Sequence, residues 1–158
     1  MKPLIVDKIC ENLRLEQETA KKAADSAREG ATHEDAKAEN QYDTRGLEAS
    51  YLAGAQAERV MHLSDCIARF KNIVLKDFSK GAAIGLTALV HLDDGDTQQV
   101  YFIAADAGGM KLTVENEKIM VITPKSPVGQ AVMGRKKGDF IEVRIRNELR
   151  EFEIIDVE

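Results

Sequence analysis

Two stretches in the first half of the chain carry residues spaced alternately three and four apart, and this rhythm constrains the fold more than any other feature. Val6, Ile9, Leu13, Glu16, Ala20, Ala23 and Ala27 form the first series, polar only at Glu16. Ala49, Ala53, Gln56, Val60, Leu63, Ile67, Phe70 and Val74 form the second. A heptad seam of this kind marks the face of an α-helix that packs on another helix. Both seams put large side chains at their outer ends and alanines toward the middle. Folding the chain back near residues 30–36 sets small against small and large against large. Alanine cannot bridge a wide gap, so the inner halves of the helices must approach closely. The seams therefore predict an antiparallel α-helical hairpin, a coiled coil, over residues 1–76. Arms of roughly 25 to 39 residues at about 1.5 Å per residue project something like 40 to 50 Å. Such a shape makes a poor vessel for a substrate pocket and a good probe for reaching into a partner.

The segment near residues 30–40 forms the tip of this hairpin. Gly30 can end the first helix, and Thr32 with Asp35 resembles a capping arrangement for the second. Between Ala31 and Glu48 stand the acids Glu34, Asp35, Glu39, Asp43 and Glu48 against only Lys37 and Arg45. Asp35 and Glu39 are four apart and share a face once the second helix has begun. Carboxylates placed so close repel, and a divalent ion such as Mg²⁺, which takes oxygen ligands, would relieve the repulsion. Two carboxylates do not complete a site, so a catalytic ion would need further ligands from a partner. The competing reading is a solvated helix start, where acids are favoured by the helix dipole. His33 and His62 have no Cys/His companion at metal-binding spacing and read as surface residues. Tyr42 and Tyr51 read as packing on the opposing helix.

Composition narrows the function. The 158 residues carry a formal charge of −5, which gives no general case for nucleic-acid binding. Charge is unevenly spread, however. From Pro124 to Glu148 the bases Lys125, Arg135, Lys136, Lys137, Arg144 and Arg146 outnumber Asp139, Glu142 and Glu148. Cys10 and Cys66 lie within helical patterns and read as reduced thiols rather than a disulfide framework. The start enters charged helix without a signal-peptide pattern, and no apolar run approaches the roughly 18 residues of a membrane span. A cytoplasmic protein is expected. Seams satisfied within one hairpin favour a monomer.

Helical spacing stops after Val74, and 76–81 reads as a junction. Strand-like stretches follow at 85–92, 98–104, 118–122, 140–145 and 150–157. Asp93-Asp94-Gly95-Asp96 reads as a turn between the first two, and Asn147-Glu148 as a turn between the last two. Ser126 can cap a short helix with Pro127 in its first position, Val128, Ala131 and Val132 on its apolar face, and Gly134 as its stop. The expected fold class is α+β: the hairpin, then a small antiparallel β-sheet domain with a short helix over 77–158. The glycines match no phosphate-binding loop. No Ser/His/Asp or Cys/His set is suggested.

Ser126-Pro127, the short helix after it, Gly134-Arg135-Lys136-Lys137-Gly138-Asp139 and the strand Phe140 to Val143 resemble the bacterial transcript-cleavage factors of the GreA/GreB family. The ending Arg150 to Val157 and the stretch Phe78 to Val90 are similar to the same family. The resemblance implies a coiled-coil hairpin followed by an FKBP-like domain, in a transcription elongation factor that enters the secondary channel of RNA polymerase. In that family the tip reads roughly Gly-Asp-x-Ser-Glu-Asn-Ala-Glu/Asp-Tyr, and its Asp and Glu are implicated in holding a catalytic Mg²⁺ with polymerase carboxylates. Here the stretch is Glu34-Asp35-Ala36-Lys37-Ala38-Glu39-Asn40-Gln41-Tyr42. With Tyr42 fixing an ungapped register, Asp35 falls on the family Asp and Ala38 on the family Glu. Matching Glu39-Asn40 to Glu-Asn requires a shift of one residue, about 100° around a helix.

The resemblance thus implies that Asp35, helped by Glu39 or Glu34, shares Mg²⁺ with the polymerase core and stimulates its cleavage of backtracked nascent RNA, with no independent activity. A channel-entering regulator or inhibitor without cleavage is the rival reading. A helical scaffold or chaperone-like module is the third. Prolyl isomerisation is a weak implication, because Phe78, Tyr101, Phe102, Phe140 and Phe152 suit packing better than a proline pocket.

Overall fold

A computed structural model describes residues 1–33, 44–145 and 148–158. Residues 10–71 form one compact unit, and residues 1–9 together with 72–158 form another. The division after residue 71 precedes the junction expected at 76, and the first nine residues group with the sheet-bearing unit.

The helical unit is built from α1 (Lys2–Thr32) and α2 (Arg45–Lys71). Gln17 Nε2 on α1 donates to the Val60 carbonyl at 3.3 Å and to Ser64 Oγ at 2.5 Å on α2, while Arg59 pairs with Glu16 at 3.7 Å. From Gln17 to Thr32 and from Arg45 to Val60 each helix runs sixteen residues, so the two arms reach the connecting segment with equal length. Equal arms joined by a short link define an antiparallel pair. Leu13, Ala20 and Ala27 are buried on α1, and Leu63, Ile67 and Phe70 on α2. Ala49, Ala53, Gln56 and Val60 are half-buried, as their seam requires.

Three details of the seams differ from expectation. Glu16 and Ala23 are exposed, and their neighbours Gln17 and Ala24 turn inward instead. The amide of Gln17 finds partners across the pair, whereas a carboxylate at that position would lose its hydration. Val74 lies beyond the end of α2 and is 76 % exposed. Arg69 and Lys71 occupy the last turn of α2, where their charge suits the helix dipole. Gly30 does not end α1, and Thr32 does not cap a second helix. Thr32 lies inside α1, its hydroxyl donating to the Arg28 carbonyl at 2.9 Å. The observed entry to α2 is Thr44, whose hydroxyl meets Glu48 Oε1 at 2.8 Å and whose carbonyl accepts from the Glu48 N–H.

The second unit is a six-stranded sheet of β1 (Leu89–Asp93), β2 (Gln98–Ile103), β3 (Lys111–Val114), β4 (Glu117–Ile122), β5 (Phe140–Ile145) and β6 (Glu148–Val157). The order is β3-β4-β2-β1-β6-β5. The sheet is mostly antiparallel, as expected, with β2 and β4 running parallel to one another. β3 was not legible from strand patterning. It pairs with β4 through the two-residue turn Glu115-Asn116, both residues with positive φ, the geometry a tight hairpin requires. Val90, Leu92, Tyr101, Ile103, Ile141, Phe152 and Ile154 form the core of one sheet face together with Val132 of α3 (Pro127–Val132). Phe78, Tyr101, Phe102 and Phe152 are buried and only Phe140 is exposed, so the aromatics pack rather than line a proline pocket.

The β1–β2 turn is tied by its own acids. Asp93 Oδ1 accepts from the Gly95 N–H at 2.7 Å. The Asp94 carboxylate accepts from the N–H groups of Thr97 at 2.8 Å and Asp96 at 3.1 Å, and also pairs with Arg150 of β6. The Thr97 N–H leads these contacts in holding the Asp94 carboxyl below the usual carboxylate range. A depressed folded-state pKa adds stability that is present above the unfolded value of about 3.9 and lost as pH falls through the folded value. Asp94→Asn is therefore expected to lower the thermal midpoint at neutral pH. The gap to the unaltered protein should close in melts run below both values.

Candidate functional site

Asp35, Glu39 and Glu34, the carboxylates singled out from the sequence, lie with Tyr42 and Asp43 outside the described residues. The structure fixes what flanks them. α1 closes with Arg28, Glu29 and Gly30 exposed, and the His33 N–H bonds to the Glu29 carbonyl at 2.9 Å. α2 opens at Thr44 with Glu48 in its first turn. The inward residues nearest the segment are Ala27 and Ala31 on α1 and Gly46 and Ala49 on α2. Twelve residues, 33–44, four of them acidic, thus join α1 to α2, whose nearest inward positions carry small residues.

The rest of the helical unit offers no comparable chemistry among the described residues. His62 does have a cysteine companion, contrary to expectation, because Cys66 Sγ lies 3.6 Å from its Nε2 one turn on. Arg69 also donates to that sulfur, at 3.3 Å. Cys10 and Cys66 are buried and not joined in a disulfide, as the sequence suggested. Tyr51 is 71 % exposed rather than packed on the opposing helix.

In the second unit the basic run is held in a defined loop. Ser126 caps α3 by accepting from the Gly129 N–H at 3.0 Å, and its own hydroxyl donates to the Thr123 carbonyl at 2.8 Å. Gly134, at φ 77°, then turns the chain, its N–H bonding to the Ile84 carbonyl at 2.9 Å. Asp139 closes the loop by accepting from the Lys136 N–H at 2.9 Å, while the Gly138 N–H reaches the Ile154 carbonyl at 2.7 Å. Arg135, Lys136 and Lys137 project from this loop exposed, close in sequence to the exposed apolar side chains of Met133 and Phe140. A basic rim with apolar contacts suits docking to an acidic protein surface. A cavity of about 590 Å³ is lined by Gln98, Tyr101, Lys111, Thr113, Lys118 and Met120 among others. Its lining carries no carboxylate, imidazole or thiol.

Residues 80–158 match the family described as transcription elongation factor GreA/GreB, C-terminal. The chain belongs to the GreA/GreB family. Relatives of two kinds are similar to it. The transcription elongation factor GreA of Bartonella henselae is 33 % identical over 117 residues, 70 % of this chain and 70 % of the relative. The GreA of Rickettsia canadensis is 27 % identical over 139 residues, 87 % of this chain and 80 % of the relative. The transcription inhibitor protein Gfh1 of Thermus aquaticus is 29 % identical over 117 residues, 73 % of this chain and 71 % of the relative. Among solved structures, Gfh1 of Thermus thermophilus covers 94 % of both chains at 24 % identity with a TM-score of 0.41. Among the described residues no helix is long and apolar enough to cross a membrane.

Proposed function

We propose that this family member is a transcription elongation factor that binds RNA polymerase at its secondary channel and stimulates Mg²⁺-dependent cleavage of backtracked RNA. The observation that carries the proposal is the antiparallel α1–α2 pair with four acids in its connecting segment, in a chain whose second unit matches the family. The basic loop at 135–137 would meet the channel rim while the helical pair enters. Asp35, with Glu39 or Glu34 as its partner, would present carboxylate oxygens, the donors Mg²⁺ prefers, beside those of the polymerase. When bound, the ion supplies an activated water for phosphodiester hydrolysis. The chain itself contributes reach, position and one or two carboxylates, and a cytoplasmic monomer suffices for that role.

A second reading, a channel-entering inhibitor without cleavage, is favoured by Ala38. In the ungapped register it stands where the family has its second acid. The Gfh1 relatives, described as transcription inhibitors, lend it weight. Adding the protein to stalled, backtracked elongation complexes with Mg²⁺ separates the two. Shortening of the RNA is expected. Unchanged RNA with altered initiation or pausing would transfer the assignment to the inhibitor, and failure to bind core polymerase would remove both.

A further inference from the structure

We propose that His91, Asp156 and Glu158 form a binding site for one divalent transition ion, with zinc the best match, on a sheet face of the second unit. The strand pairing assembles it. His91 on β1 stands opposite Asp156 on β6, and Leu89, two residues before His91, exchanges both backbone hydrogen bonds with Glu158. Alternation along paired strands therefore puts His91, Asp156 and Glu158 on one face. One ligand atom from each lies within 4.8 Å of the others.

The imidazole supplies the observation that points to a ligand. His91 Nε2 is enclosed by the fold and has no hydrogen-bond partner. The nearest oppositely charged group, Glu158 Oε1, is 3.8 Å away, too far for a hydrogen bond. A buried ring nitrogen without a partner is costly, and a metal ion at that nitrogen would satisfy it. The other ring nitrogen, Nδ1, faces Glu117 Oε1 of β4 at 3.8 Å. At that distance Glu117 makes no hydrogen bond either, and its carboxylate adds negative charge beside the ring that favours a cation.

The donor set decides the class of ion. One imidazole and two carboxylates leave a position for water, the composition of an open zinc site. A nitrogen donor favours zinc over magnesium or calcium, which prefer all-oxygen shells. Charge favours a cation as well. Among the described residues the carboxylates of Asp156, Glu158 and Glu117 are met by Lys2, which acts electrostatically on Glu158, and by Lys137, whose Nζ lies 2.7 Å from Asp156 Oδ1. That lysine is 62 % exposed, so its pair with Asp156 is solvated and weak, and Asp156 keeps its second oxygen for the ion. The site is independent of the Mg²⁺ role proposed for Asp35.

Calorimetric titration of the chelator-treated full chain with ZnCl₂, and separately with MgCl₂, tests the proposal. One zinc per chain with micromolar affinity is expected, and no comparable binding of Mg²⁺. His91→Gln and Glu158→Gln should each weaken zinc binding at least tenfold. Glu158 is 43 % exposed, so its variant should fold even if the histidine variant does not, and circular dichroism checks both. Absence of zinc binding would overturn the site. Zinc affinity unchanged in Glu158→Gln would also overturn it, placing the ion elsewhere, for instance at His62 and Cys66.

Discussion

Asp35→Asn should abolish RNA shortening in backtracked complexes while the variant still competes with the unaltered protein for core polymerase. Asn keeps the size and one carbonyl oxygen but removes the charge that would hold the ion. Metal-assisted hydrolysis draws several kcal/mol of transition-state stabilisation from its ion, so loss of the principal carboxylate is expected to slow cleavage roughly a hundredfold or more. Glu39→Gln and Glu34→Gln then identify the partner. The one that assists Asp35 should show a smaller loss, and the other should behave as the unaltered protein. Cleavage by Asp35→Asn at the normal rate would refute the role given to this residue. Timed gel analysis of the RNA, with binding measured in parallel, reads both quantities.

Gly129→Ala should be among the most damaging single-methyl additions to the second unit. A Cβ built on Gly129 would sit 2.0 Å from the Thr123 carbonyl oxygen and 2.9 Å from Ser126 Oγ. The carbonyl belongs to the backbone and also receives the Ser126 hydroxyl, so α3 would have to move about an ångström away from the loop that caps it. Overpacking of this kind costs about 3 kcal/mol, which for a chain of this size lowers the thermal midpoint by roughly 6 to 12 °C. Ser126→Ala provides the scale. It removes the cap without adding bulk, and about 1 kcal/mol is expected. Equal melting of the two variants would mean that α3 shifts freely and that the close approach at Gly129 is not a constraint.

Much of this architecture could be read from the sequence because its signals were local and repeated. The α2 seam held from Ala49 to Phe70, and Ser126-Pro127 announced its helix. The pattern over Phe140–Ile145 gave β5 with its observed ends. Failures came where tertiary partners overrode a pattern. Gln17 replaced Glu16 on the seam because its amide could be satisfied by Val60 and Ser64. β3 offered only four residues, and its turn, Glu115-Asn116, lacks the glycine that usually signals a two-residue hairpin. The acids at 34, 35 and 39 were evident from spacing, while their mutual geometry lies outside the described residues. The His91 cluster could not be found by spacing at all, since β1 and β6 bring together residues 65 positions apart.

The grouping of residues 1–9 with 72–158 has a consequence for the order in which the chain can be completed. Ile5 and Ile9 are fully buried, and Lys2 bonds to the Lys76 carbonyl and lies over the Phe78 ring at 5.3 Å. These residues are made well before the segments they assemble with. During synthesis the first turns of α1 must wait, apolar and uncovered, while residues 10–71 are added and the sheet-bearing segment after them is made. The α1–α2 pair can close in that interval through its own seam, but the sheet-bearing unit cannot. Residues 1–9 are in this sense the last part of α1 to find their partners, and a nascent chain stalled before the sheet is made would leave them as an adhesive apolar patch.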